Sequence, residues 1–196
     1  MIYLALHGET EWNRERRIQG RLDSKLTAHG IEQAHRMGAT LKRLMGEGAR
    51  CDIISSPLGR TMATARIICE VLGIETRSIE TELRLAEVDL GSWAGLTREE
   101  VGTRWLGELQ GPTRREWYFR SPDGETFDHV SARVGSWLTD MEARPHSIVA
   151  VTHGVASRVL RGVYAQLAHD EALALEVSRD AIAILAEGAI RREPCR

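Results

Sequence analysis

An alternation of short apolar segments with longer segments of helical periodicity leaves few folds open to this chain. Residues 2–6, 51–55 and 147–152 are apolar runs bounded by polar or glycine-containing stretches, which is typical of buried strands. Between these runs, apolar residues recur every three or four positions and predict amphipathic helices. Strands that alternate with helices favour an α/β fold with a sheet between two helical layers.

The other predicted elements follow the same patterns. Thr97 and Glu100 form a capping box that opens a short helix. Further strands are predicted at 75–79, 175–177 and 181–186, and further helices at 27–45, 56–72, 126–143 and directly after His153-Gly154. The helix at 56–72 is expected to begin with Ser56 as its N-cap and Pro57 at its first position. The chain is expected to form a single domain over residues 1–196, with an excursion or lid at about 97–125.

Composition limits the classes of function. The formal net charge of −2 gives no reason to expect a nucleic-acid partner. No apolar run approaches the length of a membrane span, and the start of the chain lacks a basic leader, so a cytoplasmic protein is expected. Lys25 and Lys42 are the only lysines, so 24 of the 26 cationic residues are arginines. Such a composition more often reflects codon bias, whereas the functional interpretation is that some arginines hold a phosphate by bidentate bonds, and only their positions can distinguish the two.

Polar residues follow the three central strands where the chain leaves the sheet. His7 follows the first strand, Arg60 follows the second by a few residues, and His153 follows the third. Ligands of α/β sheets bind at the carboxyl ends of the strands, so these side chains are expected to meet. Each alone is more often structural or solvated. Two imidazoles and a guanidinium together suit phosphoryl transfer through a phosphohistidine, and the helix N-termini after Ser56 and Gly154 would add amide donors for the anion.

Several segments resemble the motifs of the histidine phosphatase (phosphoglycerate mutase-like) superfamily. They occur in the expected order over nearly the whole chain, at residues 7–13 (HGETEWN), 55–61 (SSPLGRT), 87–95 (EVDLGSWAG), 124–126 (GET) and 152–154 (THG). The resemblance implies a three-layer sandwich whose sheet is mainly parallel, with one antiparallel strand near an edge.

The resemblance also implies roles for individual residues. His7 would be the nucleophile, Arg60 and His153 would bind phosphoryl oxygens, and Glu87 would be the general acid, with Asp89 as the nearest alternative. The residues expected to contact the substrate are Gly8, Asn13, Gln19 and Gly154, with the Gly8 carbonyl orienting the His7 ring. Neither a metal nor another cofactor is implied, and the histidines lack metal-ligand spacing.

One position departs from the family pattern, because Leu6 stands where the family has an arginine directly before the first histidine. Losing that guanidinium would remove charge-assisted hydrogen bonds to the phosphate and lower activity. Leu6→Arg is predicted to raise phosphatase activity, or at least to tighten the binding of phosphate or vanadate, because the new guanidinium would restore a contact to the phosphate. If the side chain points into the core instead, stability should fall. The arginines considered as replacements are Arg14, Arg16, Arg17, Arg21, Arg84 and Arg158.

The function that these features favour is a phosphomonoesterase acting on a small phosphorylated metabolite. A mutase of the phosphoglycerate mutase type and a phospho-ligand binding module without turnover are the alternatives. The short chain favours hydrolysis, since family mutases carry an added segment that excludes water. A homodimer is left open. The aromatic residues of the excursion either pack it onto the domain or contact the substrate, and they are Trp105, Trp117, Tyr118 and Phe119.

Overall fold

The structure is a computed structural model that describes residues 1–46, 48–107, 109 and 116–196. Its strands are β1 (Ile2–Leu6), β2 (Cys51–Ser55), β3 (Glu80–Thr81), β4 (Ser147–Thr152), β5 (Ala181–Ala186) and β6 (Ala189–Pro194). Its α-helices are α1 (Glu11–Arg14), α2 (Ala28–Met45), α3 (Gly59–Leu72), α4 (Arg98–Arg104), α5 (Phe127–Glu142), α6 (Gly154–Tyr164) and α7 (His169–Ala174). Single 3-10 turns occupy Thr76–Ser78, Leu83–Leu85, Gly91–Trp93 and Glu116–Phe119.

The strands form one mixed sheet in the order β3-β2-β4-β1-β5-β6. The first four strands of that order pair in parallel, whereas β5 pairs antiparallel with both β1 and β6. One strand near an edge therefore runs against the others, which confirms the expected fold class. Leu6 pairs with Thr152 and Ser55 pairs with Val151, so the residues that follow these three strands emerge side by side.

Helices cover both faces of the sheet because successive strand residues point to opposite sides. One face of the sheet packs against α2 and α3, and its core contains Tyr3, Met37, Leu41, Ile53, Ile68 and Val149. The other face packs against α5 and α6, and its core contains Leu4, Val134, Trp137, Ile148, Val159 and Leu160. These two buried clusters hold the three layers together and fix the ends of the central strands.

Helix α3 begins later than its sequence signal predicts. Ser56 and Pro57 were expected to open it, but the first helical residue is Gly59 and Leu58 is the N-cap. The carboxylate of Asp23 accepts hydrogen bonds from the backbone N–H groups of Gly59 and Arg60. A distant aspartate thus caps the helix, and this frees the hydroxyl of Ser56 for another contact.

Two predicted strands are wrong. The segment predicted at 75–79 contains a 3-10 turn, and the strand is the short pair Glu80–Thr81. The segment predicted at 175–177 contains no strand; α7, which the analysis missed, ends just before it at Ala174. Strand β6 was also missed, because its polar sequence suits an edge strand and carries little hydrophobic signal.

Within the described part of the segment at 97–125, aromatic residues pack on the domain. The rings of Trp105 and Trp117 lie 6.2 Å and 6.3 Å from Trp93, measured between centroids. Residues 108 and 110–115 of the predicted excursion lie outside the described residues. Within the described ranges, none of the helices combines the length and the apolar character that crossing a membrane requires.

Candidate active site

Two histidines meet at the carboxyl edge of the sheet. His7 follows β1 and His153 follows the neighbouring strand β4, and the backbone N–H of His7 donates to the Thr152 carbonyl at 3.1 Å. The two ring centroids lie 5.3 Å apart. The sequence-based expectation that these side chains meet is therefore borne out by their positions in the structure.

The ring of His7 is fixed by its neighbour in sequence. Nδ1 lies 2.7 Å from the carbonyl oxygen of Gly8 and donates to it, so Nε2 is the unprotonated ring nitrogen. Burial lowers the pKa of His7 well below its ordinary value of 6.5, and the charges of Arg60 and Arg179 lower it further. The ring is therefore neutral at physiological pH, as a nucleophilic imidazole must be.

His153 is buried beside this ring and is held by Ser56. Its Nε2 lies 2.8 Å from the Ser56 hydroxyl, and its Nδ1 has no hydrogen-bond partner among the described residues. Burial lowers the pKa of His153 well below 6.5, with further lowering by the charge of Arg60. When the Ser56 hydroxyl donates to Nε2, Nδ1 carries the proton and is available to donate to an anion.

Arg60 reaches the same site from the first turn of α3. Its side chain is almost fully buried and is bound to the loop after α1: Nη1 donates to the Leu22 carbonyl and to Asp23, and Nη2 donates to the Gly20 carbonyl at 2.8 Å. Its Nε is buried without a partner among the described residues. A guanidinium has five N–H groups, so two remain for a ligand after these three bonds.

Glu87 lies at the N-terminus of α6. Its carboxylate accepts hydrogen bonds from the backbone N–H groups of Val155 at 3.2 Å and Ala156 at 2.9 Å. The two helix N-termini that were expected to bind the anion therefore bind carboxylates instead, Asp23 at α3 and Glu87 at α6. This corrects the expectation that free helix amides serve the phosphate.

A partly buried ion pair supports the loop that carries Glu87. Arg133 donates to the Glu125 carboxylate through Nε at 3.0 Å and to the carbonyl of Arg84 at 2.6 Å. Burial acts to raise the pKa of Glu125, but hydrogen bonds from Arg133 and from the Asp89 N–H bring it below its ordinary value. Glu125 was noticed only as part of a motif, and nothing in the local sequence marked Arg133.

Three of the four residues predicted to contact the substrate line the cleft, and the fourth does not. Asn13, Gln19 and Gly154 line the same cleft as His7, whereas Gly8 is not among its lining residues. The N–H of Gly8 donates to Thr64, and a side chain at Gly8 would come within 2.1 Å of the Gly30 carbonyl oxygen. Gly8 is thus needed for the close approach of two backbone segments and for the carbonyl that orients His7.

The cleft holds about 450 Å³ and is strongly cationic. Glu87 is its one carboxylate among the described residues, and Trp117 and Tyr118 form part of its wall. A larger cavity of about 620 Å³ shares Arg60 with it but is lined by neither His7 nor Glu87. The arginines that line the cleft are Arg16, Arg17, Arg60, Arg98, Arg158 and Arg179.

Leu6 lies outside this cleft, and an arginine that the sequence analysis did not consider lies inside it. The Leu6 side chain is buried and lines a separate small cavity of about 20 Å³, which Arg161 also lines. Of the candidate replacements, Arg16, Arg17 and Arg158 line the cleft, whereas Arg14, Arg21 and Arg84 form ion pairs with other residues. Arg179 comes from the segment before β5, where no motif marked it.

A group of potential metal ligands exists elsewhere. Glu116, His169 and Asp170 offer one ligand atom each, all within 4.8 Å of one another. Nδ1 of His169 lies 3.3 Å from a carboxylate oxygen of Asp170, which is exposed, so a polar surface contact between neighbours in the sequence explains this pair. Within the described part of the chain no such group forms at the cleft.

Comparison with protein families and known proteins gives a consistent result. The family described as histidine phosphatase superfamily (branch 1) matches residues 2–189. Among curated proteins, the "Probable phosphoglycerate mutase GpmB" of Salmonella arizonae is 40% identical over 162 residues, covering 79% of this chain and 70% of that protein. The GpmB of Enterobacter sp. has the same identity and coverage.

Solved structures of similar shape include several phosphatases. Bacillus stearothermophilus YhfR superposes with a TM-score of 0.81 at 28% identity, over 98% of this chain and 95% of that one. A mycobacterial glucosyl-3-phosphoglycerate phosphatase in complex with VO3 superposes with a TM-score of 0.77 at 25% identity, over 98% and 96% of the two chains. A phosphoserine phosphatase from Entamoeba histolytica in complex with 3-phosphoglyceric acid has a TM-score of 0.73 at 26% identity, over 93% and 88%.

Proposed function

The chain belongs to the histidine phosphatase superfamily, and from that membership we propose that it hydrolyses the phosphomonoester of a small metabolite through a phosphohistidine at His7. The observation that carries the proposal is the hydrogen bond from His7 Nδ1 to the Gly8 carbonyl, because it leaves a neutral ring with Nε2 unprotonated. Arg60 and Glu87 line the same cleft and supply a cation for the phosphate and a carboxyl group for proton transfer.

In the first step, the Nε2 lone pair of His7 attacks phosphorus. The bond from phosphorus to the ester oxygen breaks, and the carboxylic acid form of Glu87 gives its proton to the departing oxygen. Arg60 and His153 bind the non-bridging oxygens, where charge is redistributed in the transition state. The products are an alcohol, a phosphorylated His7 and the Glu87 carboxylate.

In the second step, a water molecule attacks the phosphorylated His7. The Glu87 carboxylate accepts a proton from the water while the phosphorus–nitrogen bond breaks. The step releases inorganic phosphate and restores neutral His7 and the acid form of Glu87. Two backbone N–H groups of α6 fix the position of this carboxylate for both proton transfers.

A mutase is the second candidate, because the curated relatives carry the name phosphoglycerate mutase. In a mutase the phosphoryl group on His7 would pass to a hydroxyl of the bound substrate instead of to water. We favour hydrolysis because solved structures that are similar over nearly the whole chain include phosphatases. Residues 97–125 are proposed as a lid on a single domain, contributing Trp117 and Tyr118 to the cleft.

The test is to react the protein with phosphate-labelled substrates and to follow where the label goes. The panel should include aryl phosphate, 3-phosphoglycerate and phosphoserine. Quenching without acid should trap an acid-labile, base-stable adduct on His7, and label should then appear as inorganic phosphate. Label in an isomer of the substrate would instead support the mutase.

The non-catalytic alternative has a separate signature. A binding module would bind phosphate or vanadate and yet form no adduct and release no label. His7→Ala is the matched variant, since it removes the proposed nucleophile and leaves Arg60 in place. Full turnover in His7→Ala would contradict the proposal.

A further inference from the structure

Arg179 places a second guanidinium in the cleft that His7 lines. It lies in the segment between α7 and β5, and it lines the cleft with His7, Arg60 and Glu87. Its Nη2 donates to Oδ1 of Asn13 at 3.0 Å. Its charge and that of Arg60 both act on the His7 ring. The two guanidiniums therefore reach the cleft of His7 from different elements of the fold.

The hydrogen bonds of Arg179 are few for a partly buried guanidinium. Its Nε is buried without a partner among the described residues, and the bond to Asn13 uses one of its five N–H groups. Unpaired buried donors are costly, so a cleft that keeps them open is suited to a ligand that accepts hydrogen bonds. Arg60 likewise has an unpartnered Nε, so both arginines retain donors for one anion.

No carboxylate among the described residues forms a salt bridge with Arg179. Burial lowers the pKa of Arg179, and the charges of Glu9 and Glu87 act in the opposite direction without contact. Arg60, by contrast, is paired with Asp23 at 3.0 Å. A poorly solvated cation without a paired anion is strongly stabilised when an anion binds it.

We propose that Arg179 binds the phosphoryl group together with Arg60, and so supplies the guanidinium that Leu6 cannot. This inference rests on the proposed function, since it assigns a ligand of the same phosphate. Leu6 lies in a different pocket, beside Arg161 and away from the cleft. An arginine from the segment before β5 would thus provide the guanidinium contact to the phosphate that an arginine at the end of β1 would otherwise provide.

The test is the affinity of purified Arg179→Ala for vanadate and for inorganic phosphate, measured by calorimetry and by inhibition. Losing a charge-assisted contact should weaken binding of either anion by about 10- to 100-fold. Arg179→Lys should recover part of the loss, because it restores the charge without the planar fork. Arg192→Ala is the matched control: it removes an exposed arginine that is paired with Glu176. Unchanged affinity in folded Arg179→Ala and Arg179→Lys would overturn the inference.

A structural role through Asn13 makes a different prediction. If Arg179 only orients the Asn13 amide, its removal should have no further effect in an Asn13→Ala background, which would overturn the inference. If Arg179 touches the anion, affinity should fall again in the double variant. Far-ultraviolet circular dichroism and a thermal melt confirm that each variant is folded.

Failure of the proposed function is distinguishable from failure of this inference. Anion affinity is an equilibrium measurement and needs no turnover. A wild-type protein that forms no adduct on His7, but whose phosphate affinity depends on Arg179, would contradict the phosphatase and support the anion site. An active phosphatase whose anion affinity is unchanged in Arg179→Ala would support the phosphatase and contradict the role of Arg179 in the anion site.

Discussion

The rings of His7 and His153 lie 5.3 Å apart between centroids and are tilted by 56°, at the ends of two strands that pair in parallel. Burial is the largest cause of the low pKa of both rings, and Arg60 lowers both pKa values further. The site therefore keeps two neutral imidazoles next to a permanent cation. This arrangement has consequences for stability as well as for catalysis.

We expect stability to fall as the pH drops below about 6.5. The unfolded chain binds a proton on each histidine near that pH, but the folded protein does not until its lower pKa is reached. The unfolded state therefore gains protons first, and each ring costs up to about 1.4 kcal/mol of unfolding free energy per pH unit in that window. Denaturant titrations at about pH 7 and about pH 5 measure the slope.

Substitutions of His7 and His153 test whether these two rings cause the loss of stability at low pH. His7→Gln and His153→Gln should each flatten the decline in stability between those pH values. His35→Gln makes the same substitution at an exposed histidine and serves as the matched control. A slope that neither buried-ring variant alters would show that other groups cause the decline.

Glu87→Gln should slow substrates with poor leaving groups far more than those with good ones. An alkyl oxygen needs a proton as it departs, whereas an aryl oxygen needs little help, so kcat for alkyl phosphates should fall by about 100-fold or more. Steady-state kinetics on matched alkyl and aryl phosphates measure the difference.

Asp89→Asn is the comparison for that experiment. Asp89 was the nearest alternative acid in the sequence, but it accepts from the Gly91 N–H and is not among the residues that line the cleft. Equal losses on both substrate classes in Glu87→Gln, together with a leaving-group effect in Asp89→Asn, would transfer the acid role to Asp89.

Ser56→Ala should weaken anion binding through His153. The hydroxyl is the one hydrogen-bond partner of the His153 ring among the described residues, and its loss leaves both ring nitrogens buried without a partner. A loss of about 1–3 kcal/mol in unfolding free energy and weaker vanadate binding are expected. Ser55→Ala is the control, since the Ser55 hydroxyl bonds the Ser56 carbonyl and not the ring. Vanadate affinity that falls equally in both variants would count against the positioning role.

Gly8→Ala should disrupt folding because of a backbone contact. A Cβ at this position would lie 2.1 Å from the Gly30 carbonyl oxygen, in a buried region where neither segment can move freely. The expected loss is on the order of 3 kcal/mol or more. In Gly135→Ala the added Cβ meets only Val163 at 3.6 Å, so that variant should be neutral or slightly stabilised. Thermal melts of the pair would contradict this account if both variants behaved alike.

The sequence predicts those parts of the site that depend on strand ends. His7, Arg60 and His153 follow adjacent parallel strands, so the general rule for α/β sheets brings them together. Arg179 could not be found in this way, because its side chain reaches the site from a segment with no motif and contacts Asn13, 166 positions away in the chain. Such contacts depend on the path of the whole chain.

The start of α3 shows the same limit at the level of secondary structure. Ser56 and Pro57 form an ordinary helix-start signal, and local propensity alone would begin the helix there. The structure uses Asp23 as the cap and Ser56 as the partner of His153. A tertiary contact thus overrides a local preference, and it does so at the residues nearest the proposed chemistry.

Leu6→Arg should lower stability without raising activity. The Leu6 side chain is 6% exposed and shares a pocket of about 20 Å³ with the buried Arg161. The Arg161 guanidinium donates to the carbonyls of Ser157 and Glu176. Among the described residues, the one carboxylate that lines this pocket is that of Glu176, which is exposed and already paired with Arg192. An arginine at position 6 would therefore meet a like charge in a poorly solvated place, at a cost on the order of 3 kcal/mol.

Kinetics and a thermal melt of Leu6→Arg show whether the new side chain stays in the buried pocket or reaches the phosphate. Leu6→Met is the control, because it keeps the volume and the apolar character and should cost less than about 1.5 kcal/mol. A lower Tm with unchanged kcat/KM is expected, since Arg179 already provides a guanidinium in the cleft. A rise in kcat/KM together with tighter vanadate binding would mean that the new guanidinium passes Val177, which lines both cavities, and reaches the phosphate. In that case the missing charge on β1 limits this enzyme, and Arg179 replaces it only in part.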